Sequence, residues 1–315
     1  MAGALFDLVA GIVLLALGGD SLVKSASGLA RRAGIAPFTT GLVLVAFATS
    51  IPELAVNLRA LRAGEPALAL GNAVGSNIAN LGLTLGAAAL CAPLLGRWKA
   101  RPPLLVCLVV ATLATILLGR DGMLGRGDGA LLVAAFVVVS GVAWVFARRQ
   151  RELHDELAGF ARTGSDGATR NLLRLAIAVA LLYFGAAWVV RGALGLGPVL
   201  GMESLLLGLL PVAIGTALPE VAAAIAAARR GQGDLVAGHV IGSSLVNLLL
   251  VVGGMALLGG VQLPASFLRF ELPAALVLAA LLLPMLRGDL QLSRAEGGVL
   301  LLAFLAWAGF ELAML

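Results

Sequence analysis

Apolar runs close to 20 residues long recur along this chain, and they restrict it more than any other feature. A helix rising 1.5 Å per residue crosses the hydrocarbon of a bilayer in ~20 residues. Composition agrees with that reading: 60% of the 315 residues are hydrophobic and 12% charged, with a mean hydropathy of +1.03. A soluble domain carries about 25% charged residues. The chain therefore reads as an all-α polytopic membrane protein. Its pI of 10.2 does not signal a nucleic-acid partner, because the 22 Lys and Arg lie between the apolar runs, where topology signals belong.

Ten spans can be drawn, at 4–24, 37–60, 67–92, 102–119, 128–147, 171–192, 204–228, 234–258, 269–286 and 295–313. Alternate loops then carry 16 and 6 of the Lys and Arg. The positive-inside rule places the richer set in the cytoplasm and both termini outside. An error of one span would scramble that alternation. The first cation is Lys24, and no small-residue cleavage site precedes it, so 4–24 is expected to be a retained span and not a cleaved signal. Cys91 and Cys107 lie in or beside spans without metal-ligand spacing and read as packing thiols.

A duplication sits inside this pattern. Ala46-Phe47-Ala48-Thr49-Ser50-Ile51-Pro52-Glu53 is echoed by Ala213-Ile214-Gly215-Thr216-Ala217-Leu218-Pro219-Glu220. Gly71-Asn72-Ala73-Val74-Gly75-Ser76-Asn77-Ile78-Ala79-Asn80 is echoed by Gly238-His239-Val240-Ile241-Gly242-Ser243-Ser244-Leu245-Val246-Asn247. The offset is 167 residues throughout, and a constant offset reads as an internal repeat. Five spans per copy is an odd number, so the second copy is inserted upside-down, the inverted architecture of secondary transporters. The expected organisation is a first five-helix repeat over 1–147 with its motif at 41–86, a cytoplasmic linker over 148–170, and a second repeat over 171–315 with its motif at 208–253. The linker is too short for a folded regulatory domain, which needs ~50 residues. The turn 121–129 lacks the ligand spacing of a calcium loop.

Glu53 and Glu220 are the carboxylates near the middle of apolar spans, whereas Asp7, Asp20, Glu271 and Glu311 lie near span ends, within reach of the interface. A charge at mid-bilayer costs ~2.5–3.5 kcal/mol even on lenient scales, which makes it a functional candidate. Each Glu follows a proline, which cannot donate to the preceding turn and so frees carbonyls near Ala48 and Gly215. Thr49, Ser50 and Thr216 add hydroxyls one turn earlier. Carboxylate, hydroxyl and carbonyl oxygens together suit hard cations such as Na⁺ and Ca²⁺. In the next span Asn72, Ser76 and Asn80 recur every four residues along one helix face, matched by His239, Ser243 and Asn247. Gly71, Gly75, Gly238 and Gly242 make small-xxx-small pairs that let backbones approach. Four elements, two from each repeat, are expected to converge on one midplane site.

These motifs resemble the two alpha-repeats of the sodium/calcium exchanger family, among the cation/calcium antiporters, of the prokaryotic type without a regulatory domain. The resemblance implies ten spans, electrogenic exchange of Na⁺ for Ca²⁺, and alternating access in which spans 1 and 6 slide across a fixed core. Carried over by position, Glu53 and Glu220 bind the ions. Thr49, Ser50, Thr216, Ser76 and Ser243 complete the sites with the carbonyls of Ala46 and Ala213, and Asn80 and Asn247 line the centre. The transported ions are Ca²⁺ and Na⁺, with no cofactor and no evident protein partner beside the lipid bilayer of a prokaryotic inner membrane. Three positions depart from the family pattern: Asn247 stands where many members have Asp, Ala217 where they have Ser, and His239 opposite Asn72.

Three other transport readings stay open: an H⁺/Ca²⁺ antiporter, a carrier of altered selectivity owing to Asn247 and Ala217, and a channel. An intramembrane hydrolase is disfavoured, because the chain has neither a His-Glu-x-x-His pair nor a Gly-x-Ser-x-Gly elbow. Its carboxylates also sit in matching contexts, whereas acid and base roles need unlike ones.

Overall fold

The computed structural model describes residues 1–33, 50–94, 101–148, 167–229, 231, 233–287 and 291–313. Most of the expected linker lies outside them, as do Ala46 and Thr49.

Among the described residues, ten helical stretches follow the ten expected spans in order. They are α1 (Ala2–Arg32), α2 (Ile51–Arg62), α3 (Pro66–Cys91), α4 (Arg101–Leu118), α5 (Arg126–Arg148) and α6 (Ala168–Leu200) in the first part of the chain. Next come α7 (Ser204–Leu207, Gly208–Val212 and Ala213–Arg229) and α8 (Gly233–Leu245, Val246–Val252 and Gly253–Gly259). The last two are α9 (Phe267–Glu271 and Leu272–Arg287) and α10 (Arg294–Ala313). Seven of these are long and apolar enough to cross a membrane, and the bent pair Ser204–Leu218 with Glu220–Arg229 would make an eighth. The other two are α2, described only from Ile51 on, and α9, which opens in a wider turn before its 16-residue α-helix.

Local chemistry sets the helix ends. Pro66 begins α3, and Pro102-Pro103 fall in the first turn of α4, where the missing N–H has no intrahelical partner anyway. At α10, Ser293 and Glu296 form a reciprocal cap: the Ser293 N–H donates to Glu296 Oε2 at 2.7 Å, and the Glu296 N–H donates to Ser293 Oγ at 3.3 Å. Asp128 does part of the same work at α5, accepting from the Gly125 N–H at 2.8 Å. Left-handed Gly201 (φ 67°) closes α6.

Two compact units arise, each drawing on both repeats: residues 1–72 with 150–219, and residues 73–149 with 220–315. In the first, α1 and α6, which are counterparts at the repeat offset, pack antiparallel on glycines. A Cβ on Gly11 would stand 2.7 Å from the Val189 nitrogen, one on Gly18 3.0 Å from Leu182 Cγ, and Gly28 lies beside Asn171. Numbers rise on α1 as they fall on α6, the arrangement expected of an inverted pair. Asp7 Oδ2 and Arg191 Nε tie the two helices at 2.8 Å. The same unit holds a second close seam, where a Cβ on Gly71 would stand 3.0 Å from the Leu209 nitrogen and one on Gly208 2.8 Å from the Asn72 nitrogen.

In the second unit the repeats exchange their last helices. α10 lies on α3, where a Cβ on Gly86 would stand 2.9 Å from the Gly297 carbonyl oxygen. α5 lies on α8, where one on Gly253, the counterpart of Gly86, would stand 2.8 Å from Leu132 Cβ. Asn77 donates its amide to the Ser244 carbonyl at 3.1 Å. Those two residues are 167 apart, so each is the other's repeat counterpart, and the pseudo-twofold passes between them. The strands β1 (Met123–Leu124) and β2 (Val261–Gln262) pair antiparallel, and Leu94 bridges Leu292 in nearly equivalent fashion. The turn 121–129 thus carries β1 and the α5 cap. The protein is an all-α membrane protein of two inverted five-helix repeats.

At Pro219 the α-helical turns of Ala213–Arg229 are unbroken, yet the helix bends there, with Ser204–Leu218 and Glu220–Arg229 at 43° to each other. A second departure lies about two turns earlier, in a π-helix at Gly208–Val212 that contains Pro211. A widened turn lets neighbouring groups take up the bond that a proline cannot make. Pro52 is the second residue of α2 and starts that helix.

Gly129→Val should disrupt the α5–α8 seam, because a Cβ there would stand 2.6 Å from the Gly253 carbonyl oxygen. Overpacking of this kind costs about 1–3 kcal/mol and should lower the Tm in detergent. Gly141→Ala, with nothing within 4 Å, should leave the Tm unchanged or raise it.

Candidate functional site

In the first unit the polar side chains gather at the start of α2 and where α3 meets α7. Ser50 occupies the N-cap of α2 and Glu53 its first turn, where a carboxylate suits the positive end of the helix dipole. Ser50 and Glu53 have capping-box spacing, yet Glu53 does not close the box. It is fully buried, and neither carboxylate oxygen meets a donor on another described residue. One turn on, Asn57 Oδ1 accepts from Asn72 Nδ2 at 2.7 Å. The Thr216 hydroxyl lies 3.5 Å from Asn72 Oδ1 and 3.2 Å from the Ala213 carbonyl. Its single proton serves one acceptor at a time, so an oxygen lone pair stays open to a cation.

In the second unit the polar stripes of α3 and α8 face each other. Asn80 Nδ2 donates to Ser243 Oγ at 3.3 Å, and Thr84 Oγ1 donates to Asn80 Oδ1 at 3.3 Å. Under the repeat the first bond should recur between Asn247 and Ser76. It does not: Ser76 Oγ and both amide atoms of Asn247 are buried without a hydrogen-bond partner among the described residues. The reason is visible in the sequence, where Val251 replaces the Thr84 that would fix the Asn247 amide. Glu220 is 5% exposed, with Oε1 3.8 Å from Nε2 of buried His239.

Asn80 and Asn247 both lie in π-helical turns, Ala79–Thr84 and Val246–Val252, one per repeat. π-turns cluster at functional sites. Here they also adjust a stripe spaced every four residues, which drifts on a helix of 3.6 residues per turn. The strict four-residue spacing of Asn72, Ser76, Asn80 and Thr84 was the signal available for this, and helix-face reasoning passed over it. Thr84, Asn57 and the Asn77–Ser244 contact were likewise not singled out from the sequence. Glu271 and Glu311 correct one expectation. They are 2% and 9% exposed and do not reach solvent, with the Ser266 hydroxyl beside the first and the Trp307 indole beside the second.

The profile of the sodium/calcium exchanger protein family matches residues 4–145 and 171–313. This chain belongs to that family. Among its relatives, the inner membrane protein YrbG of Escherichia coli is 35% identical over 310 residues, 95% of this chain and 94% of YrbG. The sodium/calcium exchanger MaX1 of Methanosarcina acetivorans is 29% identical over 335 aligned positions, 95% of this chain and 96% of MaX1. A solved structure of the sodium-calcium exchanger NCX_Mj, soaked with Na⁺ and Sr²⁺, superposes with a TM-score of 0.64 at 25% identity and covers 97% of both chains.

Buried polar atoms in folded proteins are almost always paired, and here Glu53, Ser76 and Asn247 are exceptions among the described residues. Asn247→Asp would place a carboxylate where both amide atoms are buried without a hydrogen-bond partner among the described residues. It should change the half-saturating Ca²⁺ concentration severalfold or introduce pH dependence, measured as ⁴⁵Ca²⁺ uptake into proteoliposomes. Transport curves that superpose on wild type would show Asn247 to be peripheral.

Proposed function

We propose that this chain is a secondary antiporter exchanging Na⁺ for Ca²⁺ by alternating access. Glu53 and Glu220 hold the ions, with Ser50, Thr49, Thr216, Ser76, Ser243 and the carbonyls of Ala46 and Ala213 as further oxygen ligands and Asn80 and Asn247 beside them. The observation that carries this reading is Glu53: a fully buried carboxylate on a membrane-embedded helix, with no donor from another described residue. An ionised carboxylate at such depth needs a counter-charge, and a transported cation supplies one. The matching acid in the second repeat gives a formal −2, which one Ca²⁺ or two Na⁺ balance. MaX1 and NCX_Mj are both named as sodium/calcium exchangers, which supports the same ion pair here.

Motion is assigned to α1 and α6. Their glycine-lined seam and the Asp7–Arg191 pair support their moving as one body. Lys and Arg distribution supports termini outside, and YrbG, an inner membrane protein, supports the same membrane.

Purified protein in liposomes loaded with ⁴⁵Ca²⁺ tests the reading. Efflux should require external Na⁺ and should respond to membrane potential, as electrogenic exchange does. Efflux driven by a proton gradient without Na⁺ would overturn the choice of coupling ion in favour of H⁺/Ca²⁺ exchange. Glu53→Ala and Glu220→Ala should each reduce flux to that of empty liposomes, and unaltered flux in either would contradict the site.

A further inference from the structure

Asn57 is a buried polar side chain that the ligand set leaves out. It is 2% exposed. Its Oδ1 accepts from Asn72 Nδ2 at 2.7 Å, while its own Nδ2 has no hydrogen-bond partner among the described residues. A half-satisfied buried amide destabilises a fold, and this fold does not require one. The second repeat has Ala224 in place of Asn57 and His239 in place of Asn72, so both members of the pair differ together.

The bond to Asn57 fixes the Asn72 amide. With Nδ2 committed to Asn57, Asn72 presents Oδ1 to the Thr216 hydroxyl, 3.5 Å away. The same hydroxyl lies 3.2 Å from the Ala213 carbonyl oxygen. Having one proton, it donates to one of the two at a time, and the shorter contact is the one to Ala213.

A cation held by both oxygens reverses that choice. Two oxygens 3.2 Å apart can bind one ion at ~2.3–2.6 Å each, subtending roughly 80°. A proton left between them would crowd the ion. It has to turn away, and Asn72 Oδ1 is the other acceptor the structure gives it. Without Asn57 the Asn72 amide is free to turn over. Its amide nitrogen would then donate to Thr216 Oγ, occupying the lone pair a cation needs and keeping the hydroxyl proton on Ala213.

We propose that Asn57 is a positioning residue: it holds the Asn72 oxygen toward Thr216, so that the Thr216 proton can leave Ala213 and both oxygens can bind one cation. This rests on Thr216 and Ala213 being ion ligands, as in the function proposed above, and adds the residue that makes them available.

Uptake of ⁴⁵Ca²⁺ into Na⁺-loaded proteoliposomes, with external Na⁺ as competitor, gives the half-saturating concentration of each ion and the maximal rate. Thr216→Val should raise the half-saturating concentration of Ca²⁺, Na⁺ or both. Asn57→Ala, which installs the second repeat's residue, should raise it for the same ion about tenfold, as loss of a group that orients a ligand does, with the maximal rate retained. The double variant should match Thr216→Val alone, because both changes silence the same oxygen. Should Asn57→Ala not fold, Asn57→Leu keeps the volume and takes its place in the cycle. Unchanged half-saturation in the Asn57 variant, a shift that adds in full to that of Thr216→Val, or a lowered maximal rate alone would overturn the proposal with the exchange reading intact. Unchanged half-saturation for both ions in Thr216→Val would remove Thr216 from the ligand set and overturn the proposal with it. The expected cycle in a protein driven by protons and not by Na⁺ would retain the role of Asn57 and overturn the choice of coupling ion.

Discussion

Everything in this protein follows from the absence of water along most of its length. A polar group inside lipid must find a partner in the protein or carry an unrecovered desolvation cost, and the buried side chains meet that demand to different degrees. Asn77 bonds to Ser244, Asn72 to Asn57, and Asn80 to Ser243 and Thr84. These contacts register helices against each other. Glu53, Ser76 and Asn247 are equally buried without equivalent bonds among the described residues.

The span order was legible because it rests on composition over long windows. Ten apolar runs, alternating Lys and Arg, and a duplication at one offset each constrain the same architecture, and each survives errors of a few residues. The acids Glu53 and Glu220 were legible for a related reason: a carboxylate in an apolar run is rare whatever its surroundings. What could not be read was geometry that depends on the other helix. Val251, standing four residues from Asn247 where Thr84 stands in the other copy, shows in the sequence that one partner is missing, but not that the facing helix supplies none. Glu271 and Glu311 were misplaced for the same reason, since position near a span end does not reveal whether a neighbouring helix covers the side chain.

π-helical turns mark the limit of pattern reasoning most clearly. A repeat of four residues is close enough to 3.6 to look like one face of an α-helix, and over a single turn it is. Across Asn72 to Thr84 the small mismatch accumulates, and the backbone takes it up in one widened turn per repeat. The side chains at those turns are the two central asparagines. The prolines preceding the acids interrupt their helices in two ways, Pro52 in the first turn of α2 and Pro219 at a 43° bend in α7.

The exchange of last helices has a consequence for how such a molecule could arise. α10 covers α3 and α5 covers α8, so neither repeat finishes its own bundle. A chain of half this length would have had to enter the bilayer in both orientations and pair with an oppositely inserted copy to bury its third helix. Joining the copies in one polypeptide removes that dependence on dual insertion. It also frees the two halves to diverge, so that a histidine can appear on one side of the dyad while an asparagine remains on the other.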